Sequence, residues 1–228
     1  SPYCDVNPDE VKRFFTDVFA GANHVYTDPP DSVPEVSFPT SNDELAALMA
    51  RITPAQVSGR LSRMAATAPG PDGARYSGLR RVDPGGHVMA VLFSKCLESG
   101  RVPTDWKVAT TVLVYKSGPR EDLFNWRPLS LGNTIAKLYS AILADRIVEW
   151  AEEGGRLSVQ QKGFTSHDGC LEHNFILQTA IDDARREGKE LCVAWLDLAN
   201  AFPSIPHSHL FGVLEMLGMP LELIHVIK

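Results

Sequence analysis

Leu191-Cys-Val-Ala-Trp-Leu-Asp-Leu-Ala-Asn-Ala-Phe202 opens with six apolar residues in a row and then delivers a carboxylate. A continuous apolar run of this length is the pattern of a strand buried on both faces. An acid at the end of such a strand is costly unless a cation or hydrogen bonds meet it. Two readings of Asp197 follow. It holds a metal ion where a strand end faces a cleft, or it caps the next turn.

Upstream, the pattern changes from strand to helix and back. Residues 170–186 are amphipathic, ending in Arg185-Arg186 and Gly188. Ile135, Leu138, Ile142, Leu143, Ile147 and Trp150 recur at helical period over 134–151, with Gly154-Gly155 as a stop. Val108-Ala-Thr-Thr-Val-Leu-Val-Tyr115 is β-branched and apolar, hence a strand, turned by Lys116-Ser-Gly-Pro119. A helix over roughly 84–98 stops at Gly100. The run Ala68-Pro-Gly-Pro-Asp-Gly73 before it can only be a compact turn. Thr53-Pro54 opens a helix with Val57, Leu61 and Met64 on one face, and Ser41-x-x-Glu44 reads as a capping box before another. Asn7-Pro8-Asp9-Glu10 starts the first helix, and the Pro-rich 22–40 is a linker or strap. Downstream, Pro206 and Pro220 each open a short helix. Helices, a strand pair, long helices, a buried strand and a helix make an α+β protein rather than a regular βαβ wind.

The 228 residues are 44% hydrophobic and 22% charged, enough for one or two cores and too apolar for a disordered chain. No run approaches the ~18 apolar residues of a membrane span. The start, SPYCDVNPDE, has neither the basic nor the apolar part of a signal peptide. Cys4, Cys96, Cys170 and Cys192 show no zinc-ligand spacing, so reduced thiols and an intracellular setting, cytoplasmic or nuclear, are expected. The net charge of −6 is unevenly spread. Residues 1–50 carry two basic against nine acidic residues, and 151–228 carry six against eleven. Residues 51–150 hold fourteen basic and eight acidic, a net +6. There a polyanion docks, or there lies an ordinary solvated surface.

Four strings together resemble a known family. LDLANAFPSI is similar to the first catalytic motif of reverse transcriptases, an Asp followed five residues later by an aromatic. ATAPGPDGARYSGLR resembles an early segment of the polymerase domain in LINE-type (non-LTR) retrotransposon enzymes. VPTDWKVATTVLVYKSGPREDLFNWRPLSLGNTIAKLYSAILADRI resembles their paired fingers strands, and LSVQQKGFTSHDGCLEHNFIL their Gln-x-Gly-Phe segment. The strings follow the family's order and cover residues 53 to about 210.

The resemblance implies a right-hand polymerase fold. Residues 1–50 would be an N-terminal helical extension, 51–189 the fingers and 190–228 the beginning of the palm. It implies templated addition of deoxynucleoside triphosphates to a DNA primer on an RNA template, with two Mg²⁺ ions and no membrane partner. Asp197 matches the carboxylate that holds both ions, and the Leu198 carbonyl would be a further ligand. Lys116 and Arg127 match the two cations that grip the triphosphate. Asn200 and Ala201 would offer it backbone N–H groups. Phe202 matches the ring that excludes a 2′-hydroxyl; by its residue type alone it reads as a core aromatic. Gly70, Pro71, Asp72, Gly73, Gln161, Gly163 and Phe164 would approach the template.

Two departures stand out. Pro203 follows Ala201-Phe202 where the family usually has Asp. The motif of an aromatic, any residue and two Asp, source of the second metal carboxylate, does not occur within these residues. The expectation is that this stretch does not polymerise without the remainder of the polymerase chain. Two rivals are a truncated or domesticated module that holds nucleic acid without catalysis, and an interaction domain in which the strings are only turns and core.

Overall fold

The structure is a computed structural model that describes residues 4–20, 38–165, 168–198 and 201–228. Among these the elements are mixed helix and sheet. They divide into two units, 1–147 with 202–228 and 148–201.

The first unit opens with α1 (Pro8–Ala20), with Asp9 and Glu10 in its first turn. Much of the Pro-rich stretch 22–40 lies outside the described residues. The capping box expected at Ser41 forms, and Thr53, expected to open a helix, makes a second one. Ser41 starts α2 (Asn42–Met49) and Thr53 starts α3 (Pro54–Arg63), each trading bonds with the residue three positions on. Such caps satisfy N–H groups that a helix start would otherwise leave unpaired. A short helix not expected from the sequence, α4 (Tyr76–Val82), precedes α5 (His87–Ser99). Here Asp83 accepts the His87 and Met89 amides at 2.9 Å and so caps α5. α5 ends at Gly100.

Next come β1 (Ala109–Tyr115) and β2 (Trp126–Gly132), an antiparallel pair. Then α6 (Thr134–Glu153) runs for 20 residues. Val57, Leu61, Phe93 and Leu138 are fully buried and make the centre of the core. Phe93, Trp106 and Tyr139 group with ring centroids 5.2 to 5.9 Å apart. The buried Arg146 donates to the carbonyls of Leu48, Ala50 and Arg51 and to Gln56, tying α6 to the α2–α3 connection. The unit ends with α9 (His207–Met216) and α10 (Leu221–Ile227), opened by Pro206 and Pro220 as expected.

The second unit holds the end of α6, α7 (Gly169–Glu187) and the segment after it. The Arg156 guanidinium lies 4.2 Å from the centroid of the buried Trp150 ring. Lys162 pairs with Glu172 at 2.7 Å. No residue of α7 is buried.

One expectation fails. Residues 191–198 form no strand and are all exposed, with Leu196 at 95%. An extended segment becomes a strand only when a neighbour takes its N–H and C=O groups. Among the described residues the single sheet is β1–β2, which offers this run no partner. α8 (Ala201–Ser204) follows it.

Candidate nucleotide and nucleic-acid interface

The hairpin sorts its side chains by strand alternation. Leu113, Tyr115 and Trp126 point to one face, where they pack with Phe15, Leu123, Val11 and Phe14. The other face presents Val112, Val114 and Leu129, all exposed. Arg127 lies opposite Val114 in the register and therefore shares that face. The Lys116 amide bonds the Asn125 carbonyl at 2.8 Å, extending the pairing one residue past β1. Lys116 is two positions beyond Val114, hence the diagonal neighbour of Arg127 on the same face, roughly 7–8 Å away in such ladders. Both cations are exposed, and neither side chain has a hydrogen bond or ion pair among the described residues.

The loop between the strands is held from within. Trp126 Nε1 donates to the Arg120 carbonyl at 2.8 Å, and the Arg120 guanidinium lies 4.5 Å from the Tyr115 ring centroid. Asn125 Nδ2 donates to the Pro119 carbonyl at 2.9 Å. This unpartnered cationic pair thus sits on a braced frame, and it suits an anion with several oxygens.

Residues Gly70 to Gly73 form a turn closed by the Gly73 amide on the Gly70 carbonyl at 3.0 Å. Gly73 has φ +62°, a left-handed conformation that favours glycine. A Cβ on Gly70 would overlap the Gly132 carbonyl at the end of β2. Asp72 Oδ2 accepts the Thr134 amide at 2.9 Å, and the Asp72 amide donates to Asn133 Oδ1 at 3.1 Å. Pro71 and Asp72 are exposed. Sequence reasoning missed Asn133 and Thr134. The signal was present, because Gly132-Asn133-Thr134 stands where a strand ends and a helix begins, and Asn favours that cap.

In the second unit, Gln161, Gly163 and Phe164 share one local turn, with Gln161 Nε2 donating to the Gly163 carbonyl at 2.9 Å. Phe164 is exposed and has φ 60°, the one non-glycine with positive φ among the described residues. That conformation disfavours a bulky side chain. Asp197 and Leu198 are exposed. Asn200 lies outside the described residues; Ala201 and Phe202 begin α8. The Phe202 side chain is 79% exposed, so its ring is not a core ring here.

Among the described residues no three His, Cys, Asp or Glu side chains gather as a metal site. Asp197 and the Leu198 carbonyl are suitable oxygen ligands, but a pair of divalent ions needs a second carboxylate that the described residues do not bring to them. No described helix is long and apolar enough to cross a membrane.

Known proteins share sequence similarity with this chain. The pattern of the family described as Reverse transcriptase (RNA-dependent DNA polymerase) matches residues 116–227, from the first hairpin cation to the end of α10. Residues 116–227 belong to the reverse transcriptase family. The chain is 33% identical, over 67% of its length, to the retrovirus-related Pol polyprotein from the type-1 retrotransposable element R2 of Popillia japonica. Against the type-2 element R2DM of Drosophila melanogaster it is 27% identical over 71% of its length. Against the RNA-directed DNA polymerase from the mobile element jockey, also of Drosophila melanogaster, it is 28% identical over 61%. These matches cover 20%, 15% and 15% of the three relatives, so the chain spans a fifth or less of each.

Proposed function

We propose that this chain is part of an RNA-directed DNA polymerase of a non-LTR retrotransposon. Residues 51–189 are its fingers, 190–228 begin its palm, and 1–50 are an N-terminal extension. The substrates are deoxynucleoside triphosphates, an RNA template and a DNA primer. The observation that carries this reading is the exposed hairpin face with Lys116 and Arg127 side by side and unpaired. Leaving two cations without a carboxylate keeps their donors for an incoming polyanion, and Arg presents its planar fork to phosphate oxygens.

Asp197 would contribute one carboxylate toward bound Mg²⁺, with the Leu198 carbonyl beside it. When bound, such ions supply charge stabilisation at the phosphoryl group under attack. The described residues do not complete that site, which would take its other carboxylate from the rest of the polymerase. Phe202, exposed at the start of α8, would lie against the sugar of the incoming nucleotide. Gln161, Gly163 and Phe164 form a turn open to the template strand.

The test is steady-state kinetics on a complete polymerase carrying Lys116→Ala, Arg127→Ala or both. Losing the triphosphate grip raises KM for the deoxynucleotide by roughly tenfold or more per charged hydrogen-bond partner removed. Template–primer affinity at fixed salt changes little. An unchanged nucleotide KM in the double variant sinks the assignment of the hairpin face.

A further inference from the structure

The hairpin that carries the two cations has its roots fastened in one place. β1 begins four residues after Asp105, and β2 ends at Gly132, the register partner of Ala109. Asn133, buried directly after β2, donates through Nδ2 to the Asp105 carbonyl at 2.7 Å. Both ends of the hairpin are thereby tied to each other. Through Asn133 both are also tied to the turn at Gly70–Gly73. The Asp72 amide donates to Asn133 Oδ1 at 3.1 Å, Asp72 Oδ2 accepts the Thr134 amide at 2.9 Å, and Asp72 Oδ1 accepts the Ala74 amide at 3.2 Å. The buried Thr134 hydroxyl returns a bond to the Ala74 carbonyl at 2.7 Å, and Lys137 Nζ reaches the Ala68 carbonyl at 3.1 Å. The absence of a Cβ at Gly70 lets the turn come up to the Gly132 carbonyl.

We propose that Asp72 is a positioning residue for Lys116 and Arg127. Its carboxylate seats the root of the hairpin on α6, and the root aims the cationic face; this rests on the reading that the two cations meet the triphosphate. The chemistry of the position explains why an acid stands there. Two N–H groups, of Thr134 and Ala74, point at two different oxygens of one side chain. A carboxylate accepts at both oxygens, whereas an amide of the same shape accepts at one and turns an N–H toward the other donor. One of the two amides, of Thr134 or of Ala74, then loses its acceptor and faces an N–H, which loosens the junction.

Leverage converts that looseness into function. Lys116 is seven residues along the strand direction from Ala109, roughly 23 Å at about 3.3 Å per residue. A small tilt at the root thus becomes a shift on the order of 1 Å at the cations, enough to lengthen their hydrogen bonds to the triphosphate and weaken its binding. The packing of Tyr115 and Trp126 with Phe15 and Leu123 supports the same hairpin nearer its tip, which moderates the effect.

The experiment compares the complete polymerase with its Asp72→Asn, Asn133→Asp and Lys116→Ala variants. Asp72→Asn raises the deoxynucleotide KM about tenfold, leaves kcat within about threefold and leaves template–primer Kd unchanged. Asn133→Asp keeps the acceptor for Asp72 but loses the donor to Asp105, and it moves KM in the same direction. When Asp72→Asn is added to the Lys116→Ala/Arg127→Ala double variant, KM stays at the value of that double variant, because there is no longer a cation to misplace. Hydrogen exchange on the same proteins shows the β1 and β2 amides opening about tenfold faster while α3 and α5 keep their protection. A rise in template–primer Kd with nucleotide KM unchanged would show that Asp72 meets the template and overturns the proposal. Hairpin exchange rates that do not move overturn it too, whatever the kinetics. If Lys116→Ala and Arg127→Ala leave KM untouched, the triphosphate reading fails, and the exchange data still judge the clamp.

Discussion

Two runs of this chain have β character, and they have opposite fates. Residues 109–115 pair with 126–132 across a loop of ten residues, and their inner face packs on α1. Residues 191–198 are more continuously apolar, yet they lie exposed and without strand structure. The difference lies in where the partner is. Closing a short loop costs little entropy, and a braced loop lowers that cost further. Among the described residues the later run has no strand paired with it, and its side chains are exposed. A lone apolar segment is a candidate strand, and pairing makes it one.

The largest effect that bears on this contrast is catalytic. In a complete polymerase, Asp197→Asn keeps shape and removes charge, and primer extension falls by at least about a thousandfold, the scale of losing a group that holds transition-state charge. Template binding stays near that of the parent. Substantial extension by this variant would leave residues 191–198 with no special standing over the hairpin.

A second comparison is energetic. In this chain Phe93→Ala, at a fully buried ring, costs about 3–5 kcal/mol in urea unfolding. Leu196→Ala, at a side chain 95% exposed, changes stability by no more than about 0.5 kcal/mol. In a complete polymerase the cost of Leu196→Ala rises to about 2–5 kcal/mol if this run there becomes a buried strand. A large cost already present in the isolated chain breaks the contrast.

Phe202→Val sharpens it from the other side. The ring is exposed, so folding is retained and the effect appears in substrate choice. The ratio of kcat/KM for ribo- against deoxynucleotides rises on the order of 10- to 100-fold, as expected when a steric wall is lowered. An unchanged ratio in a folded variant defeats the gate and weakens the assignment of Asp197 beside it.

The smallest effect is in thiol labelling. Cys96 is buried in α5, and burial pushes its thiol up, so less of the reactive thiolate forms. Cys170 and Cys192 are exposed. A water-soluble alkylating reagent at mildly alkaline pH modifies Cys170 and Cys192 in the native chain and reaches Cys96 only on unfolding. Slow labelling of Cys192 would mean that the 191–198 run is covered in solution.

Helix starts were the most legible part of this protein. Ser41, Thr53, Pro206 and Pro220 each stand where a helix opens, because a cap depends on residues within one turn of itself. The hairpin was legible for a similar reason, since its partner is close in the chain. α4 was not, because Tyr76–Val82 is seven residues long and rests on its neighbours rather than on its own pattern. The strand expected over 191–196 failed because its apolar residues report a wish for burial and say nothing of what provides it.

The residues of the candidate site divide in the same way. Lys116, Arg127, Asp197 and Phe202 were singled out from local strings, and the motif order that placed these residues in a reverse transcriptase is a property of the sequence alone. What only the tertiary structure decided is which side chains share a face and which already have partners. Strand register put Lys116 beside Arg127, with neither paired among the described residues, and folding spent the carboxylate of Asp72 on the Thr134 amide. The physical reason is range: capping and alternation act over a few residues, whereas a bond between residues 72 and 134 exists only after the chain between them has folded.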